Sequence, residues 1–106
     1  MGALLSEKFA AKAFALARDY CYLDEEEVQT YVLSSFIQGT AEQLWGAGVP
    51  VQEENIEYLE AIYRISAYKY MNRTSLNAAI GAMRENMGYN QMIWDYVHRL
   101  RYPDRE

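Results

Sequence analysis

Apolar and polar positions alternate with a helical period along most of the chain. In residues 4–20, "LLSEKFAAKAFALARDY", Phe9, Ala13, Leu16 and Tyr20 recur three or four apart, the spacing that lines one side of a helix. The segment is rich in alanine, leucine and lysine, which are good helix formers. "LDEEEV" then places Asp24 as an N-cap with Glu27 three residues on, a capping-box pattern. Acids in a first turn also suit the positive end of the helix dipole. A second helix is predicted from about Glu25 to Trp45, burying Val28, Val32, Leu33, Phe36, Ile37 and Leu44. Gly46, Gly48 and Pro50 end it.

A third helix is predicted from near Glu53 to about Asn72, with Ile56, Leu59, Ile62, Tyr63, Ser66, Ala67 and Tyr70 as its buried stripe. Arg64 follows Glu60 by four residues, a spacing that allows an ion pair on an exposed helix face. "NRTSLN" breaks the pattern, and "AAIGAMRENMG" reads either as a short helix weakened by Gly81 or as an irregular arm. Asn90 is placed to cap a last helix that buries Met92, Ile93, Tyr96, Val97 and Leu100. Pro103 stops that helix, leaving a loose tail over about 101–106. No window alternates as a strand does. The pattern is that of an all-α single domain spanning 1–106, a small bundle of about four helices. Trp45 and Tyr70, each at a helix end, are expected to pack inward.

Composition adds a core and an interface. The chain is 51% hydrophobic, enough for a domain of this size to bury a core. Ten tyrosines supply most of its aromatic residues, and such rings are enriched where one end is dry and the other wet. The single cysteine, Cys21, excludes an internal disulfide and any multi-cysteine zinc site. No stretch approaches the roughly 20 apolar residues that span a bilayer, and "MGALLSEKF" lacks the apolar run of a signal peptide. The expectation is a protein made in a reducing compartment, with no membrane partner.

Charge is divided along the chain. The net value is −5, which argues against a general nucleic-acid binder. Residues 1–60 hold 11 acids against Lys8, Lys12 and Arg18, net −8, whereas residues 61–106 hold 4 acids against 7 bases, net +3.

The search for chemistry is negative. His98 is the only histidine, so a zinc site or a base relay has too few ligands. Glu57 and Glu60 have carboxylate-bundle spacing without the accompanying Glu-x-x-His motif. The run Asp24 to Glu27 lacks the alternating ligands and glycine of a calcium loop. Neither a phosphate-cradling glycine loop nor a nucleophile elbow occurs. These residues predict no enzyme, no cofactor and no metal.

The stretch "YKYMNR" resembles the aromatic-x-Tyr-x-Asn-Arg ending of the central helix in phage head–tail connector (adaptor) proteins. The order of the flanking motifs resembles that family too: an acidic "DEEE" turn, a long helix ending at "LWGAGVP", the linker "VQEENIEYL", and a closing helix "MIWDYVHRLRY". The resemblance runs from about Asp24 to Tyr102. Tyr68 and Lys69 stand where the family often has His and Trp, and 74–89 departs from its pattern. It implies a structural virion protein at the head–tail junction, made in the bacterial host cytoplasm. The expected partners are its own copies in a ring, dodecameric in the assembled particle, the portal protein above, and a tail or stopper protein below. DNA is then only passing cargo. Tyr70, Asn72 and Arg73 would form a structural helix terminus, and Arg99, Arg101, Tyr102 and Arg105 a partner-binding tail. The alternative reading is a small helical protein-binding regulator, antitoxin- or transcription-regulator-like.

Overall fold

A computed structural model describes residues 4–23, 28–72 and 87–101. Among these residues the chain forms four helices and no strand: α1 (Glu7–Tyr20), α2 (Thr30–Gly46), α3 (Ile56–Met71) and α4 (Met87–Leu100). The all-α expectation holds. The segment between α3 and α4, where a short helix or an arm was expected, lies outside the described residues, as does the tail beyond Arg101.

α3 is the axis of the bundle, packing against α1, α2 and α4, while α1 also packs on α2. Its buried set is Tyr58, Ala61, Ile62, Ile65, Ser66, Ala67 and Tyr70. The predicted stripe contained Ile62, Ser66, Ala67 and Tyr70 but missed Tyr58, Ala61 and Ile65. A single stripe suits a helix with one packed flank, whereas α3 has partners on several. Ile56, expected inside, is 82% exposed because the helix begins there and its first residue points away from the bundle. On α1 the buried residues are Phe9, Ala13 and Ala17. Leu16 is only half-buried and Tyr20 is exposed, its ring edge-on to Tyr63 with centroids 6.1 Å apart.

The helix ends are set by specific bonds. Ser6 caps α1, accepting from the Phe9 N–H, and the Glu53 carboxylate accepts from both the Ser6 N–H (2.8 Å) and its hydroxyl (2.7 Å). α2 starts at Thr30 rather than near Glu25. Val28 is buried outside any helix, and the Gln29 N–H donates to the Tyr70 phenol at 2.9 Å, so the chain entering α2 is tied to the end of α3. The expected cap at Asp24 lies outside the described residues. α3 begins at Ile56 rather than near Glu53, because the Asn55 side chain accepts from the Glu57 N–H at 2.9 Å and caps it there. α4 begins at Met87, so Asn90 sits inside the helix rather than capping it.

The end of α2 follows the glycine signal closely. Val49 N–H bonds Leu44 C=O at 2.8 Å and Gly48 N–H bonds Trp45 C=O at 3.0 Å, with Gly48 at φ +93°. This is the Schellman pattern, which needs a left-handed residue after the cap. A Cβ there would also come within 3.1 Å of Arg101 Nε, the end of an exposed side chain that would have to shift by a few tenths of an ångström. Leu44 and Val49 fill the space beneath the turn, so Trp45 points outward and is 56% exposed, contrary to expectation.

The same pattern ends α1, where Leu23 N–H bonds Arg18 C=O and Tyr22 N–H bonds Asp19 C=O. Its left-handed residue is Tyr22, at φ +57° and 94% exposed. For a side-chain-bearing residue this conformation costs about 1–2 kcal/mol.

The two helix-end aromatics therefore separate in their effect on stability. Tyr70→Ala removes a buried ring and leaves the Gln29 N–H without its acceptor, and is expected to cost about 3–5 kcal/mol. Trp45→Ala is expected to stay within about 0.5 kcal/mol of wild type. Urea midpoints check both; a large loss from Trp45→Ala would place that ring in the core.

Candidate functional site

The helix-terminus residues lie together, as far as they are described. Tyr70 is buried with its hydroxyl on Gln29, and Asn72 donates from Nδ2 to Tyr68 C=O at 2.9 Å, turning back onto its own helix. Cys21 Sγ approaches Ala67 C=O at 3.8 Å beside them. Arg73 lies outside the described residues. This cluster joins the ends of α1 and α3 to the start of α2, with Cys21 as a half-buried free thiol at its edge.

The tail residues divide. Arg99 is held against the body, its Nε 3.1 Å from Glu57 Oε2 and its guanidinium 4.8 Å above the Tyr96 ring. Arg101 is exposed at the end of α4, against Gly48. Tyr102 and Arg105 lie outside the described residues. The linker after α2 holds this corner, with Gln52 Nε2 donating to Leu100 C=O at 3.0 Å and Gln52 Oε1 accepting from Asn55. Glu60 is engaged by Tyr96 Oη at 2.9 Å, while Arg64 lies 5.8 Å from the Tyr20 ring centre. Arg64 also contacts the Tyr96 hydroxyl and is stabilised by the nearby Glu60 charge, so the two residues expected to pair on one helix face meet at the same phenol of α4.

Sequence reasoning missed a polar chain between α2 and α3. Lys69 Nζ donates to Thr40 Oγ1 at 3.1 Å, Thr40 and Ser66 hydroxyls are 3.1 Å apart, and Ser66 Oγ donates to Phe36 C=O at 3.3 Å. Thr40 and Ser66 are fully buried. Burial pulls the Lys69 ammonium down from 10.5 to about 8. Lysine and hydroxyls in contact invite comparison with a Ser–Lys nucleophile pair, but that chemistry needs the hydroxyl open to a substrate. Here both hydroxyls are closed in, and the chain serves as a polar rivet between helices. A second buried polar atom is the Tyr58 hydroxyl, which has no hydrogen-bond partner among the described residues. Burial first, and the Glu53 charge second, push its pKa up to about 12.

The surface is richer than the interior. Besides Tyr22, Tyr31 (84%), Trp94 (63%) and Trp45 are large exposed aromatics. An apolar groove of about 270 Å³ runs between α1 and α2, and a second recess of about 210 Å³ lies between the end of α2 and α4. No group of three or more metal-ligating side chains occurs among the described residues, and no described helix is long and apolar enough to cross a membrane. Comparison of the chain with protein-family models, with curated proteins and with solved structures returned no match to any of the three.

The polar chain makes stability depend on pH with a definite sign. Below about pH 8 folding holds the Lys69 charge away from water, and that penalty is complete. Between about pH 8 and 10 the unfolded chain keeps a proton that the folded protein releases. The unfolded state then binds more protons, so stability rises with pH. Above about pH 10 the raised Tyr58 acts oppositely, because the unfolded phenol ionises first. Urea midpoints should therefore climb from pH 7 to 9.5 in wild type. In Lys69→Met they should start higher, by about 1–3 kcal/mol, and lose this part of the climb. A variant less stable than wild type at pH 7 would show that the lysine contributes more by its hydrogen bond than it costs by its charge.

Proposed function

We propose that this chain is an assembly subunit, a head–tail connector that forms a ring beneath a phage portal and joins the filled capsid to its tail. The order and spacing of the "DEEE", "LWGAGVP", "YKYMNR" and "MIWDYVHRLRY" motifs support the family. The observation that carries an assembly role is Tyr22. Its backbone sits where glycine would be favoured and its ring is 94% exposed, so the subunit's own fold gains nothing from an aromatic there. The helix ending calls for a left-handed residue, which a glycine would supply without strain, so it is the aromatic side chain that the fold leaves unused. Tyr31, Trp45 and Trp94 add exposed rings of the type that anchors interfaces.

In this role the protein works by shape and contact rather than by reaction. Its partners are further copies of itself, expected as a dodecamer in the particle, the portal protein, and a tail or stopper protein. A net charge of −5 suits a conduit that must not retain DNA, since each phosphate neutralised by a basic lining would reward binding. The place of action is the virion.

Two measurements test this. Native mass spectrometry of the protein, alone and with portal-bearing capsids, is expected to give a closed oligomer free or on the portal, weakened by salt because unlike charges meet. A monomer under all these conditions would overturn the reading. Tyr22→Gly is expected to raise the urea-derived stability of the subunit by about 0.5–1 kcal/mol, the strain relief less the entropy cost of glycine, while weakening assembly. A variant that assembles as wild type would remove Tyr22 from the interface.

A further inference from the structure

The polar chain between α2 and α3 has a direction. Ser66 gives its one hydroxyl proton to Phe36 C=O, so the proton between Ser66 and Thr40 belongs to Thr40. Thr40 then accepts from Lys69 Nζ and has no proton left to offer it. An uncharged amine at Lys69 therefore donates one N–H to Thr40 Oγ1 and keeps its lone pair out of the chain.

The uncharged amine is also the form that this seam favours. Burial alone brings Lys69 down to about 8, so among the described residues no carboxylate holds its proton on. At about pH 7.5 roughly a quarter of such an amine is neutral, against about one part in a thousand for an ordinary exposed lysine. Access differs within the chain. Thr40 and Ser66 are fully buried, whereas Lys69 is half-buried in the last turn of α3, on a flexible four-carbon stem. The side chain meets solvent where the hydroxyls do not.

We infer that Lys69 is a site of acyl modification, its amine taking a small acyl group from an activated donor, an acyl phosphate or an acyl thioester. Nζ attacks the acyl carbon, and the N–C bond forms as the bond to phosphate oxygen or to sulfur breaks. Phosphate or thiolate leaves, and the extra proton on nitrogen passes to water. The amide retains one N–H, enough for the bond to Thr40, and removes the charge from the seam. The acylated subunit is therefore the more stable form. This site is independent of the assembly reading.

The test uses the full-length wild-type protein, whose other two lysines, Lys8 and Lys12, are exposed on α1 and serve as internal references. It is incubated without any enzyme, with acetyl phosphate in one arm and acetyl-coenzyme A in the other. Initial acetylation rates are read peptide by peptide by mass spectrometry. At about pH 7.5 Lys69 is expected to react about 10-fold faster than either reference, its larger neutral fraction outweighing its weaker nucleophilicity and partial burial. The arm that shows this lead names the donor. In concentrated urea the three lysines should react alike, and protein acetylated at Lys69 should unfold at a higher urea midpoint than unmodified protein. Rates at Lys69 no faster than the references in both arms, a lead that survives urea, or a lowered midpoint would each overturn the assignment.

Discussion

Everything in this bundle follows from α3 having to bury more than one flank at once. Seven of its residues are buried, and a helix apolar around that much of its circumference is stable only in an interior. α1, α2 and α4 supply that interior, each from its own side. The small residues Ala61, Ser66 and Ala67 let neighbours approach, and the large ones, Tyr58, Ile62, Ile65 and Tyr70, fill the spaces between. The loop before α3 serves the same end: Glu53 holds the start of α1, Gln52 the end of α4, and Asn55 caps α3 itself.

Burying so much of one helix brings polar groups inside. Tyr70 is matched by the Gln29 N–H, and Ser66 by Thr40 and Phe36 C=O. Lys69 is only partly matched: its ammonium donates to the Thr40 hydroxyl, while its burial from water pulls its pKa down. Such seams lower stability relative to a dry interface, yet they fix one helix against another in a single register. A subunit that must present fixed surfaces to neighbours gains from that rigidity.

The four helices were legible because each carries an apolar period over three or more turns, and the end of α2 because Gly48 has a unique conformational use. Starts were less legible. α2 was expected from near Glu25, but the helix begins at Thr30, where the Gln29–Tyr70 bond, across 41 residues, ties the entering chain to α3. Burial on α3 was under-read because periodicity shows that a flank is apolar, not how many neighbours surround it. Trp45 was misplaced because Leu44 and Val49 already fill the space beneath its turn. The Lys69–Thr40–Ser66 chain had no local signal, since its members lie on two helices. Arg99 stood out as a tail cation, but nothing in sequence indicated that Glu57 would hold it. The strained, exposed Tyr22 was equally silent, because only backbone geometry distinguishes it from nine other tyrosines.

The account divides the molecule into an axis that makes the fold and outer faces that make contacts. Hydrogen exchange, read peptide by peptide on the free subunit and on the assembled form, tests that division directly. The prediction is slowest exchange in α3 from Ala61 to Ala67 in both states, limited by global unfolding, with protection gained on assembly along α1, the first half of α2 and α4. Faster exchange in α3 than in α1 or α4, or protection gained on α3 alone, would contradict it.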